Sequence, residues 1–379
     1  MQIKEKFKDF IEENKEELYT ILKEMCLIPA PSGFEDKRAE YCKNKLVSFG
    51  AEGVYIDESK NVIFPINAEG SDKLTVIVAH TDTVFPDLEP MPYTDDGEII
   101  KCPGVGDDTA SVAVLLLVAK FLIENKVEAN DGLLIVCNSC EEGLGNLKGT
   151  RRIFADYAGR VKQFISFDSA RLNHMYDGCV GSVRYEVEVK TEGGHSWGAF
   201  GNKNAIYYLS KIVNGIYALD VPVIEGERTT YNVGIIEGGT SVNTIAQNAK
   251  MLCEYRSTSA EALEIMKGKF FEIFDSVRSM GVDVEVTVVG ERPSAKGVDK
   301  KEIDRLRSVI SAAMMKVVGE ESTCGSASTD CNIPLSLGIP AICFGVYHGG
   351  SAHTRSEWLR KDSLPLGLEI ALETTLDLI

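Results

Sequence analysis

Residues 74–82 read LTVIVAHTD, an unbroken run of six apolar or β-branched residues followed by His80 and, two further on, Asp82. A run without polar alternation suits a strand covered on both faces, as in a parallel sheet. The same grammar recurs downstream. Residues 133–137 (LLIVC) run into Glu141 and Glu142, and residues 164–167 (FISF) stop at Asp168. Between the first two lies Ser111–Glu124 (SVAVLLLVAKFLIE), which reads as a helix entered through GVGDD at 104–108, with Asp108 or Thr109 as the expected N-cap. Strands alternating with helices predict an α/β domain with a mixed, mainly parallel sheet and helices on both faces. Such sheets gather their ligands beyond the carboxyl ends of the strands, where His80, the Glu141 and Glu142 pair, and Asp168 fall.

The texture changes near residue 179. Residues 183–190 (VRYEVEVK) alternate like a half-exposed antiparallel strand. A helix near 204–218, strands near 229–236 and 249–255, a helix over 260–280 and a strand over 282–289 follow. The order βαββαβ is that of a ferredoxin-like α+β unit. Residues 179–292 are therefore expected to form a domain inserted into a first domain made of 1–178 and 293–379, and a length of 379 residues favours two domains over one. After the insert come a helix over Lys300–Val318 and a strand over Ala341–Phe344 that leads towards His353.

A formal charge of −17 without a dense Lys/Arg cluster argues against a nucleic-acid partner. No stretch approaches the roughly 20 apolar residues of a membrane span. Residues 1–25 carry apolar side chains at helical spacing among charges, unlike a signal peptide, and a cytoplasmic location is expected. Ten cysteines without a paired framework fit a compartment that keeps thiols reduced. The single CxxC, Cys137 to Cys140, has no second copy to complete a zinc knuckle and reads as strand residues near a site.

Taken singly, the motifs that carry chemistry are weak. An HxD at a strand end lets Asp82 orient His80 as a ligand, but a strand-end histidine also serves as an ordinary hydrogen-bonding residue. The GVGDD turn lacks the third glycine of a dinucleotide-binding loop, since position 109 is Thr109; its carboxylates either cap the helix or bridge cations. Glu141 and Glu142 are either solvated or balanced by cations, because burying both charges unaided is costly. Together, His80, Asp107, Glu142, Asp168 and His353 make a nitrogen and oxygen donor set suited to two borderline cations such as zinc.

The order and spacing of these residues resemble the co-catalytic zinc peptidases and amidohydrolases, the family of peptidase T, carboxypeptidase G, succinyl-diaminopimelate desuccinylase and aminoacylase. The likeness runs through AHTDTV (79–84), GVGDDTAS (104–111), SCEEGLGNLKG (139–149), FDSA (167–170), EGGHSWGAFGNKNAI (192–206), EGGTSVNTIAQNA (237–249) and the segment 325–359. It implies a catalytic first domain and an inserted dimerisation or lid domain. It implies that His80 and Asp168 bind one metal, that Glu142 and His353 bind the other, and that Asp107 bridges both. The resemblance further implies that Asp82 orients His80, that Glu141 is the general base for a two-metal activated water, and that the peptide bond from Asp107 to Asp108 is cis. His195 is the expected oxyanion donor, reaching across from the second subunit of a homodimer, and Asn243 and Arg256 match substrate-contacting positions. His174 and His348 receive no role.

The sequence departs from the family pattern where Thr109 replaces a lysine two residues after Asp107, and where Ala246 replaces a proline. Asp168, where deacylases of the family tend to carry Glu, and the C-terminal segment tilt the resemblance towards the peptidase T branch. The expected activity is hydrolysis of an amide bond in a di- or tripeptide, with two divalent cations per subunit, zinc before cobalt or manganese. An N-acyl-amino-acid deacylase is the rival, and a catalytically silent dimeric binding protein a more distant one.

Overall fold

The computed structural model describes residues 3–379; residues 1 and 2 of the N-terminal stretch read as helical lie outside the described residues. The chain divides into two compact units, one running to Cys179 and resuming over Lys296–Ile379, the other spanning Val180–Ala295.

The first unit is built on an eight-stranded mixed sheet. From one edge its strands are Tyr55–Ile56, Val62–Ile66, Gly132–Asn138, Leu74–His80, Val161–Ser166, Ala341–Phe344, His174–Cys179 and Thr323–Ala327. The four strands from Gly132–Asn138 to Ala341–Phe344 run parallel. Leu74–His80 and Gly132–Asn138 are buried at every position, which is why their sequences show no polar alternation. His80 stands opposite Asn138, and Val78 opposite Ser166. Three strands thus finish nearly level, and the loops bearing Asp82, Glu141, Glu142 and Asp168 leave from one edge.

Ser111–Glu124 is a helix buried on all sides through Ala119, as its uniformly apolar sequence requires. It packs against Phe7–Cys26 and Ser363–Leu378, with Phe7 and Phe10 edge-on to Phe121 at centroid distances of 5.2 and 5.1 Å. The expected N-cap is not there. Asp107 (φ −94°, ψ 95°) and Asp108 (φ −122°, ψ 24°) leave helical geometry, and Ala110 precedes the helix with no side-chain cap. Asp108 instead accepts the His80 N–H at 3.0 Å, and the Thr109 hydroxyl donates to the Gly104 carbonyl at 2.5 Å. Asp108 thus serves the strand end and Thr109 the preceding turn, rather than the helix end.

The inserted unit carries a four-stranded antiparallel sheet in the order Thr229–Gly238, Asn248–Ser257, Gly181–Lys190, Asp283–Arg292, with helices Ala205–Tyr217 and Ala260–Arg278. This is the ferredoxin-like arrangement. Alternate residues of Gly181–Lys190 and Asn248–Ser257, among them Tyr185, Val187, Met251 and Tyr255, form a core with Leu209, Ile212, Phe270 and Phe274 of the helices. Asn204 caps the first helix by accepting from the Ile206 N–H, and Ser259 caps the second by accepting from Ala262. No helix among the described residues is long and apolar enough to cross a membrane.

Candidate metal centre

At the carboxyl edge of the parallel strands, His80, Asp107 and Glu142 each offer a ligand atom, all within 4.8 Å of one another. His80 Nδ1 lies 3.1 Å from the Asp82 main-chain oxygen and 3.5 Å from its carboxylate, which turns Nε2 towards Asp107 Oδ1 at 3.1 Å. The other Asp107 oxygen, Oδ2, lies 3.0 Å from His353 Nε2. His353 Nε2 is also 3.0 Å from Glu142 Oε1. One carboxylate thus stands between two imidazoles, each of which has a second acidic neighbour. The peptide bond between Asp107 and Asp108 is cis.

Asp168 follows Val161–Ser166 by two residues. Burial first, and then the charge of Asp107, push its carboxyl up to about 7. Burial likewise raises Glu142. Asp107 moves the other way: burial would raise it, but His353 and His80 hold it well below the usual carboxylate range. His353 is pushed up to about 11 by Asp107 and Glu142, and His80 rises well above the usual imidazole range because Asp107 and Asp82 outweigh its burial. The chemistry is that of clustered acids drawing positive charge onto the imidazoles. Burying such a cluster costs several kcal/mol per uncompensated ion. Two divalent cations would relieve that cost on donors of a suitable type, so the residues fit a metal centre.

Several neighbours hold the donors in place. Asp82 does more than face His80: its two oxygens accept the N–H groups of Glu141 and Glu142, each at 2.9 Å, and Ser32 Oγ donates to it at 2.6 Å. Both glutamates are buried, which removes the solvated reading of that pair. The turn before Asp107 is held by Glu357, whose carboxylate accepts from the N–H groups of Gly104, Gly106 and Asp107, each at 2.8 Å. Gly104 takes a left-handed φ of 75°, and a Cβ on Gly106 would lie 2.7 Å from the Tyr347 ring, so both glycines are required there. Burial pushes Glu357 up to about 7.

Arg38 is the second residue the sequence reading missed. Its guanidinium is buried; Nε donates to the Ile28 carbonyl at 2.8 Å, and Nη1 donates to the Thr81 carbonyl and Thr109 Oγ1, each at 3.0 Å. Thr109 stands where a lysine was expected, and a cationic side chain reaches that position from another helix. For Glu357 a signal existed, its place four residues after His353 in a motif already singled out; for Arg38, in a charge-rich helix, there was none.

His195, Asn243 and Arg256 belong to the inserted unit. His195 pairs with Thr244 across a two-residue ladder, beside Asn243, whose carbonyl accepts the Ser196 N–H at 2.9 Å. Its Nδ1 accepts from the N–H groups of Trp197 and Gly198 at 3.3 Å. Arg256 is turned onto Glu254 through Nε at 2.7 Å and Nη2 at 3.1 Å. His174 lies on a strand of the first unit, with Nδ1 2.7 Å from Thr323 Oγ1, and His348 packs on Trp358.

The model of the family described as Peptidase family M20/M25/M40 matches residues 76–377. The chain belongs to this family. Among curated relatives, succinyl-diaminopimelate desuccinylase of Corynebacterium glutamicum is 24% identical over 343 residues, 87% of this chain and 88% of that protein. Among solved structures, a tripeptidase from Staphylococcus aureus superposes with a TM-score of 0.77 at 21% identity, covering 95% of this chain and 97% of the other. Aminopeptidase PepT from Bacillus cereus gives 0.74 at 22% identity, covering 95% and 98%. At these identities the likeness is one of fold, shared over 95% of this M20/M25/M40 member.

Proposed function

We propose that this M20/M25/M40 member is a metal-dependent exopeptidase of di- and tripeptides that works with two divalent cations, zinc first among them. The observation that carries this reading is Asp107 placed between His80 and His353. A carboxylate flanked by two imidazoles on opposite oxygens can offer one oxygen to each of two cations. His80, Asp107 and Asp168 would hold one, and Asp107, Glu142 and His353 the other. Cations bound there supply Lewis acidity and bring the pKa of water towards neutrality.

The chain's own residues supply proton transfer and positioning. The Glu141 carboxylate takes a proton from the attacking water and returns it to the departing amine nitrogen. Its main-chain N–H donates to Asp82 at 2.9 Å, which anchors the backbone that carries the base. We assign His195 of a second copy to hydrogen bonding with the developing oxyanion, and Asn243 and Arg256 to substrate contact. A homodimer through the inserted unit is supported by Thr229–Gly238, an edge strand that exposes Ile235 and Ile236. Ten cysteines with no disulfide among the described residues support a reducing compartment such as the cytoplasm.

The similarity to a desuccinylase keeps an N-acyl-amino-acid deacylase as the second reading. Assay of the zinc- or cobalt-loaded protein against di- and tripeptides with free and blocked termini, and against N-acyl amino acids, separates the two. Cleavage of free peptides supports the first reading; turnover confined to N-acyl amino acids overturns it in favour of the second.

A further inference from the structure

We propose that Glu35 is a positioning residue for the Glu141 and Glu142 pair, acting through the main chain of Cys140; the proposal rests on the reading of Glu141 as the base. Glu35 occupies the position before helix Asp36–Ser48, and its side chain makes no capping bond to that helix. Its side chain turns inward and is fully buried. There Oε1 accepts from the Gly33 N–H at 2.8 Å, the Cys140 N–H at 3.1 Å and Cys140 Sγ at 3.3 Å.

Cys140 has φ +55°, a left-handed conformation that a residue with a Cβ keeps only when its surroundings enforce it. Rotating it back to the right-handed region would re-aim both carboxylates that follow. With Asp82 accepting from Glu141 and Glu142, three successive N–H groups, 140 to 142, are each held by a buried acid. Ser32 closes the arrangement: its hydroxyl donates to Asp82 Oδ2 at 2.6 Å and lies 3.3 Å from the Glu142 carbonyl. Glu35 Oε2 is buried without a hydrogen-bond partner among the described residues, and Lys60 Nζ is 3.9 Å away. An interior polar atom left so is a cost to stability, retained here for what the other oxygen does.

The test compares the wild type with Glu35→Gln, Glu35→Ala, Cys140→Gly and the double variant Glu35→Ala/Cys140→Gly. Peptide turnover is read alongside zinc affinity, the latter by competition with a chromophoric chelator. Glu35→Ala is expected to lower kcat and zinc affinity about 10- to 100-fold with little change in KM. Glu35→Gln keeps an acceptor oxygen and retains most of both. Glycine at 140 adopts the left-handed φ unaided, so the double variant recovers about fivefold or more of each loss, a coupling that a role in general stability would not produce. Wild-type turnover and zinc affinity in Glu35→Ala, or a loss that Cys140→Gly leaves untouched, overturns the proposal. If the wild type cleaves no peptide, the peptidase reading fails by itself, and the zinc affinities of the same variants still decide the role of Glu35.

Discussion

Asp107 Oδ2 and His353 Nε2 lie 3.0 Å apart, while Asp107 Oδ1 faces His80. This relationship ties the turn before helix Ser111–Glu124 to a loop near the C-terminus and makes a single carboxylate common to two imidazoles. Its energetic consequence concerns the bare protein, in which Glu142 and Asp168 crowd the same edge.

Chelation should therefore destabilise the fold. A cation that binds only the native state at 1,000 times its Kd contributes about 4 kcal/mol, so treatment with a strong chelator is expected to lower Tm by several degrees, and added zinc or cobalt to restore it. Differential scanning fluorimetry reads the shift; a Tm indifferent to chelator and metal would contradict a built centre.

Glu357 holds three N–H groups of the turn that carries Asp107. Glu357→Ala strands those donors and is expected to cost about 3 kcal/mol in urea unfolding, with about 10- to 100-fold weaker zinc binding. Glu357→Gln keeps the oxygen shared by Gly106 and Asp107 and should lose less than half as much.

Arg38 is a buried guanidinium on three neutral acceptors, two of which, on Thr81 and Thr109, lie within two residues of His80 and Asp107. Arg38→Met leaves these acceptors unpaired and is expected to destabilise by about 3 kcal/mol in urea unfolding. Arg38→Lys should recover less than half, since an ammonium cannot span the positions of a planar fork. Equal stability of the two variants would show that the fork geometry is unimportant.

His195→Ala is expected to keep metal content and dimer intact while turnover falls by about 10² or more. In mixed dimers of His195→Ala and Glu141→Ala subunits, donation across the dimer leaves one of the two sites whole. Activity should then reappear on mixing, and mixed dimers as inactive as either parent would refute the trans assignment.

The donor-bearing edge was legible because three of the parallel strands end in apolar runs that lead onto chemically distinctive residues: His80, then the glutamate pair beyond Asn138, then Asp168. The helix N-cap at Asp108 or Thr109 was misread because capping chemistry and site chemistry use the same short polar side chains, and only tertiary contact with His80 and Gly104 distinguishes them. Thr323–Ala327 received no strand assignment; its sequence, TCGSA, has no apolar run, and it forms by pairing with His174–Cys179. Arg38 and Glu35 escaped for a related reason. Charged residues buried by partners distant in sequence look, in sequence, like charged residues at the surface.

The central claim is a two-cation centre at which Glu141 moves the proton. Metal content and peptide turnover of purified Glu141→Ala test it together. The account predicts two equivalents of metal per chain, as in the wild type, with turnover reduced by about 10² to 10⁴, the contribution of a positioned general base. Near-native turnover with both metals bound would contradict it.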